Sequence, residues 1–190
     1  MLIEKYLPRF DVRARHTARI NAAPQRTYAA LRSIDLGRSP LIRCLFWMRT
    51  IPSRHRRAAR TDMPHYRTFL ESALAQGWVL LEEIPGRELV MGTVTQPWRP
   101  VVKFVPIPAT EFCGFAEPGF AKITWSIRVD EHAGSSLVTL ETRVLTTDAM
   151  SHRHFRRYWL IFSPFIKLIR RLILGLLKRE LRRDEALRTA

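Results

Sequence analysis

The order of apolar patterns along this chain predicts an α+β protein in which a curved antiparallel sheet is closed by one long C-terminal helix. Three observations carry that expectation. Val12 to Ile20 alternates apolar and polar residues at period two, as a half-buried strand does. Between Trp78 and Val144 further apolar runs are separated by Pro- and Gly-bearing turn signals. From Ser151 to Arg183 apolar residues recur at three-four spacing, the period of a helix with one buried stripe. A chain of 190 residues, 46% hydrophobic, can bury one good core. A single domain over residues 1–190 is expected, with its core from about 10 to 183.

In the first strand Val12, Ala14, His16, Ala18 and Ile20 share one side, and Arg13, Arg15, Thr17 and Arg19 the other. Pro24 suits the first turn of a following helix, whose inner face is Tyr28, Leu31 and Ile34 and whose stop is Gly37. Ser39-Pro40 opens a second short helix with Leu41, Cys44, Leu45 and Met48 at helical spacing. Ser53 to Arg60 reads as an exposed basic loop. An inserted helix is expected from His65 to Gln76, with Tyr66, Phe69, Leu70 and Leu74 inward and Gly77 as its end.

Strands then resume. Trp78 to Ile84 and Glu88 to Thr95 flank the turn Pro85-Gly86-Arg87 and predict a hairpin. The run Val101 to Val105 lies between prolines, which cannot donate to a ladder, so it belongs at the sheet margin. Thr110 to Ala116 reads as another strand, and Pro118-Gly119 as a type II turn into Ala121 to Val129. Folding that strand against Ser136 to Val144 sets Ile123 opposite Val144, Trp125 opposite Thr142, Ile127 opposite Leu140 and Val129 opposite Val138. The other face then pairs Thr124 with Arg143, Ser126 with Glu141 and Arg128 with Thr139, a polar face suited to solvent. About six or seven strands result.

The final helix is expected to bury Phe155, Tyr158, Phe162, Phe165, Ile169, Leu172 and Leu176, with Trp159, Ile161, Ile166, Leu168, Ile173 and Leu177 widening that stripe and Arg156, Arg157, Lys167, Arg170, Arg171, Lys178 and Arg179 taking the solvent side. Pro164 should kink it. Cations and a proline inside the segment argue against a membrane span. A surface-lying role on an anionic leaflet is compatible with the pattern.

Net charge is +15, carried by 27 arginines and five lysines. Polyanions reward clustered cations, yet an arginine bias also follows from GC-rich coding. The basic loop has no interleaved aromatics, which disfavours single-stranded nucleic acid as a partner. Cys44 and Cys113 form neither a disulfide framework nor a zinc pattern, and His152 and His154 are two apart, a spacing that does not align ligands on a helix face. No Gly-rich phosphate loop follows a strand, so neither a metal nor a cofactor is expected. The reading is a cytoplasmic protein without a secretory signal, with peripheral membrane contact through the last helix left open.

The element order, together with Arg19 to Leu31, Leu36 to Arg43, Glu117 to Lys122 and Thr139 to Val144, resembles the helix-grip fold of the START, Bet v 1 and polyketide cyclase-like superfamily (SRPBCC). The resemblance spans roughly residues 10 to 180. It implies a cavity between sheet and helix that takes a hydrophobic small molecule or lipid, and no shared catalytic motif.

On that frame His16, Met91, Thr93, Trp125, Thr142, Tyr158 and Phe162 face the space between sheet and helix and are the candidate ligand-binding residues. They are equally what a filled core would contain. His16 is the one catalytic candidate, because an imidazole on an apolar strand face could move a proton. A cyclase or dehydratase would need it to meet a carboxylate such as Glu82 or Glu83. A third reading is a basic adaptor using Arg54, Arg56, Arg57, Arg60 and the final-helix arginines on a membrane or nucleic acid.

Overall fold

The computed structural model of the protein describes residues 1–33 and 68–189. The expected second short helix near Ser39, the basic loop at Ser53 to Arg60 and the first residues of the inserted helix lie outside the described residues. The remaining elements are α1 (Leu2–Tyr6), β1 (Val12–Ile20), α2 (Pro24–Ser33), α3 (Phe69–Ala75), β2 (Val79–Ile84), β3 (Glu88–Gln96), β4 (Lys103–Val105), β5 (Ala121–His132), β6 (Ser135–Thr146) and α4 (Ala149–Thr189). The fold is α+β. One antiparallel sheet of six strands runs β1-β6-β5-β3-β2, and β4 pairs with the far end of β3. With the long C-terminal helix across it, this is the helix-grip arrangement.

The β5–β6 register is the one the alternation demands: Ile123 faces Val144, Trp125 faces Thr142, Ile127 faces Leu140 and Val129 faces Val138. The strands run closer to the turn than their composition suggests, to His132 and Ser135, so that Ala133 and Gly134 alone make the loop, at φ 46° and 71°. Positive φ at both positions gives a two-residue loop whose twist matches the flanking strands. β2 and β3 form the expected hairpin, with an irregularity between Leu80 and Glu82.

On the inner face Ile20, Leu89, Met91, Ile127, Val129, Val138 and Leu140 pack against Tyr28 and Leu31 of α2 and Ile173, Leu174, Leu177 and Leu181 of α4. Met91, Val138, Leu140 and Leu177 are fully buried. The α3 end is capped as its sequence indicates: Thr68 accepts from the Glu71 N–H at 3.2 Å, while the Glu71 carboxylate accepts from the Thr68 N–H. Leu74, expected inward, is exposed on this short helix. Gly77 ends it at φ +94°, and an added Cβ there would stand 2.9 Å from Phe104 Cβ.

The second face of the sheet is not the solvent-facing surface that its polar residues suggest. α1 and the segment 106–120 lie over it and form a second apolar cluster of Ile3, Leu81, Val90, Val94, Phe112 and Phe120. Ile3 and Leu7, ahead of the expected core boundary, are buried, and so are Thr124, Ser126, Glu141 and Arg143. Thr110 to Ala116 is accordingly a run of turns rather than a strand. The physical reason is that β3 has no free edge to offer it: β5 occupies one side, and β2 followed by β4 occupies the other. Its one large buried residue, Phe112, drops onto Gly92, where a Cβ would come within 2.9 Å of the ring.

Charge under that cover is paired. Glu141 accepts from Arg13 Nε at 2.9 Å and Nη2 at 3.1 Å, and from Arg143 Nε at 2.7 Å. Arg143 also donates to the Leu7 carbonyl at 3.0 Å, tying the end of α1 to β6. Burial opposes ionisation of Glu141, but the hydrogen bonds from Arg13 and Arg143 outweigh it and hold the carboxyl below its ordinary range.

α4 is capped by the preceding Asp148, whose carboxylate accepts from the N–H groups of Met150 and Ser151 at 2.8 and 2.9 Å and from the Gly119 N–H. These bonds, led by those from Ser151, lower the Asp148 pKa strongly. The helix runs unbroken through Pro164. Pro164 and Leu160 both lie on the exposed side, where water can take the carbonyl that the proline leaves without an N–H partner.

Candidate functional site

The inner face has two zones. From β3 to β6 the described residues pack side chain on side chain, and Met91, expected to line a cavity, sits fully buried in that core. Thr93 is also buried, its hydroxyl donating to the Gly77 carbonyl at 3.1 Å. Trp125 packs against the same cluster. Toward the free edge of β1 the packing opens into a groove of about 430 Å³ between that strand and the middle of α4. Arg13, Ala14, Arg15 and His16 form one wall, and Trp159, Ser163, Ile166, Lys167, Arg170 and Arg171 the other. Small-molecule sites commonly occupy about 300–1,000 Å³.

Of the candidate binding residues, His16 stands in the groove wall. Thr142, two residues along β6 from the strand position opposite His16, touches the groove through Arg170, whose Nη2 donates to Thr142 Oγ1 at 2.7 Å. Tyr158 and Phe162 stack at 4.5 Å between ring centroids on the same helix. Phe155, beside Tyr158 and Trp159, continues that aromatic row into a small cluster with Ala121 and Val144. Of the candidate residues the structure thus places His16 in the groove wall and Thr142 next to it through Arg170, while Tyr158 packs in the cluster of Ala121, Val144 and Phe155 and Met91, Thr93 and Trp125 stay with the packed zone.

Arg170 is the residue that the sequence reading misplaces. It is assigned there to the solvent side of the last helix, yet only 5% of it is exposed. The error is one of helical phase. A three-four alternation averages 3.5 residues per turn, whereas a straight helix has 3.6, so the assumed stripe falls behind by about 20° per heptad. By the third heptad the buried residues are Arg170, Ile173, Leu174 and Leu177, while Phe165 is 37% exposed. The available signal was that Ile166, Arg170, Ile173, Leu174 and Leu177 share a face at true helical spacing, with a cation in their midst.

Burial lowers the pKa of Arg170, and the Glu141 carboxylate across the sheet partly counters that effect. The guanidinium remains a charge. Lys167 and Arg171 from α4 give the groove positive charge, while Arg13 and Arg15, which border it along β1, turn their guanidinium groups to Glu141. The nearby carboxylate, Glu141, is already held by Arg13 and Arg143 on the opposite face.

His16 does not meet the carboxylates that proton transfer would require. Glu82 accepts from Lys5 Nζ at 2.6 Å and from the Tyr6 hydroxyl at 2.7 Å on the covered outer face. Glu83, on the inner face, accepts from the Tyr28 hydroxyl at 2.8 Å and pairs with Arg32 at 3.3 Å. Both belong to β2, at the other end of the strand order from β1. Among the described residues no group of three or more His, Cys, Asp or Glu is placed to hold a metal ion, and no helix is long and apolar enough to cross a membrane.

Strand order, long helix and flank groove define a helix-grip protein with a cationic recess at the open edge of its sheet. No family model and no curated protein matches the chain. Among solved structures it is similar to the crystal structure of Ara h 8.0201, at 8% identity over 89% of this chain and 96% of that chain, with a TM-score of 0.30. A superposition that loose carries no argument about ligand or activity, and the fold assignment rests on the strand order and the helix alone.

Proposed function

We propose that the protein binds a hydrophobic or amphiphilic small molecule, of the size of a lipid or polyketide, in the groove between β1 and α4, as a carrier of the START, Bet v 1 and polyketide cyclase-like kind. The observation that carries this reading is a recess of about 430 Å³ at the sheet–helix boundary, whose wall combines Trp159, Ile166 and Ala14 with polar groups. The binding residues are His16 and Thr142 beside Arg170, with Tyr158 and Phe162 extending the apolar wall. Met91, Thr93 and Trp125 support the sheet beneath it. Binding without chemistry is favoured over a cyclase, because Glu82 and Glu83 are engaged by Lys5, Tyr6, Tyr28 and Arg32 rather than by His16. Native mass spectrometry of the purified chain, followed by mass analysis of its organic extract, tests the proposal. A stoichiometric amphiphile is expected; a chain that carries none and takes up no fatty acid, sterol or polyketide probe refutes it.

A specific observation favours membrane contact during loading. Leu160 (76% exposed), Ile161 (64%), Phe165 and Leu168 form an exposed apolar strip on α4. Arg153, Arg156, Arg157, Lys167 and Arg171 flank it. Such a strip can enter the headgroup region of an anionic leaflet while its cations remain among the phosphates.

A further inference from the structure

We infer that the groove receives an oxyanion, a carboxylate or a phosphate monoester, on Arg170, so that its ligand is an anionic amphiphile with the head on Arg170 and the apolar part along Ile166 and Trp159. This rests on the reading that the groove is a ligand site and assigns the chemistry of one end. Arg170 is 95% buried, taken from its 5% exposure, yet lines the open recess. A guanidinium has five N–H donors in a planar fork. The hydrogen bond that Arg170 makes among the described residues is the one to Thr142 Oγ1, at 2.7 Å. No described carboxylate forms an ion pair with it. Glu141, which acts on it through the sheet, gives its oxygens to Arg13 and Arg143.

A buried charge without a counter-ion is costly, and a bidentate oxyanion is the partner that a guanidinium fork fits. Thr142, accepting from Arg170, keeps its own O–H free to donate to the same anion. Lys167 and Arg171 at the mouth attract negative charge into a recess whose walls include Ile166 and Trp159. Beyond the cations, the wall continues as Ile166 and Trp159, and a ligand without an anionic group would leave Arg170 with no ion pair among the described residues.

Titration calorimetry on the full chain with decanoate, decyl phosphate, decanol and inorganic phosphate separates the possibilities. The two amphiphilic anions should bind at least about tenfold more tightly than decanol, the scale of one charge-assisted hydrogen bond. Arg170→Gln should erase that preference, bringing decanoate and decanol to equal affinity, and Arg170→Lys should retain part of it. If Arg170→Gln does not fold, the exposed pair Lys167→Gln and Arg171→Gln provides the second variant and should weaken decanoate more than decanol. Equal affinity for decanol and decanoate overturns the oxyanion assignment and leaves the proposed carrier function standing. Inorganic phosphate binding as tightly as decyl phosphate supports the oxyanion site and overturns the amphiphile. Failure of every probe overturns both.

Discussion

Removing the Glu141 carboxylate is the sharpest test of the buried outer face. In Glu141→Leu the side chain stays apolar and of similar length, but Arg143, with 4% of its side chain exposed, loses its closest counter-charge. Arg13, 39% exposed at the side chain, can turn to water, and its share is that of a surface pair, about 0–1 kcal/mol. Arg143 cannot. Breaking a buried pair from one side costs about 3–5 kcal/mol. The Leu7 carbonyl at 3.0 Å and Glu4 at 3.6 Å still serve Arg143, which places the expectation at the lower end, about 3 kcal/mol. At about 2–4 °C per kcal/mol for a chain of this size, the melting temperature should fall by roughly 6–12 °C. The double variant Glu141→Leu/Arg143→Met should recover all but about 1 kcal/mol, the worth of the lost Leu7 hydrogen bond. Urea unfolding followed by tryptophan fluorescence measures each variant. If Glu141→Leu costs under about 1 kcal/mol, or the double variant is no better than the single one, the outer face is not sealed as described.

Three further outcomes are expected. Gly92→Ala should destabilise by about 1–3 kcal/mol, because the new Cβ would stand 2.7 Å from Leu81 Cδ1 and 2.9 Å from Phe112 Cε2; a variant as stable as the parent in urea would show that the segment 106–120 does not press on β3. Glu141, Asp11 and Asp130 all have their pKa lowered in the folded state, against burial for Glu141 and Asp11 and chiefly by Arg128 for Asp130. Their contribution to stability is therefore complete above the ordinary carboxyl values of 4.5 and 3.8 and drains away as pH falls through the lower folded values, so the urea midpoint should drop steeply below about pH 4.5 and Glu141→Leu should flatten that slope. Leu160→Ser with Ile161→Ser should leave the melting temperature unchanged but reduce co-sedimentation with vesicles containing anionic lipid, since both side chains are mostly exposed; unchanged sedimentation would discard the membrane strip.

The β-hairpin of β5 and β6 is legible in the sequence because strand side chains alternate at a period of two, and a slip of one residue would turn Ile123, Trp125 and Ile127 to the wrong face. The hairpin at Gly86 is a local backbone matter, readable from turn chemistry, whereas the tight close at Ala133-Gly134, with an alanine at positive φ, is not. The long helix is visible for the same kind of reason, but its phase is not. A few degrees per turn, summed over its 41 residues, decide whether Arg170 or Phe165 points inward. His16 and Thr142 could be placed on the inner face from alternation, while their common neighbour could not.

What the sequence determines by itself is therefore whatever depends on near neighbours: the inner face of the strands, the hairpin register and the excess of arginine. The covering of the second face and the opening of a cationic groove beside β1 were decided by the tertiary structure. Both arise from contacts between segments far apart in the chain, Leu7 with Arg143 and Thr142 with Arg170, and they turn on how edges are filled and how helices are rotated. A polar strand face and a helical arginine each read as solvated until another element is laid across them, and no local pattern announces that covering element.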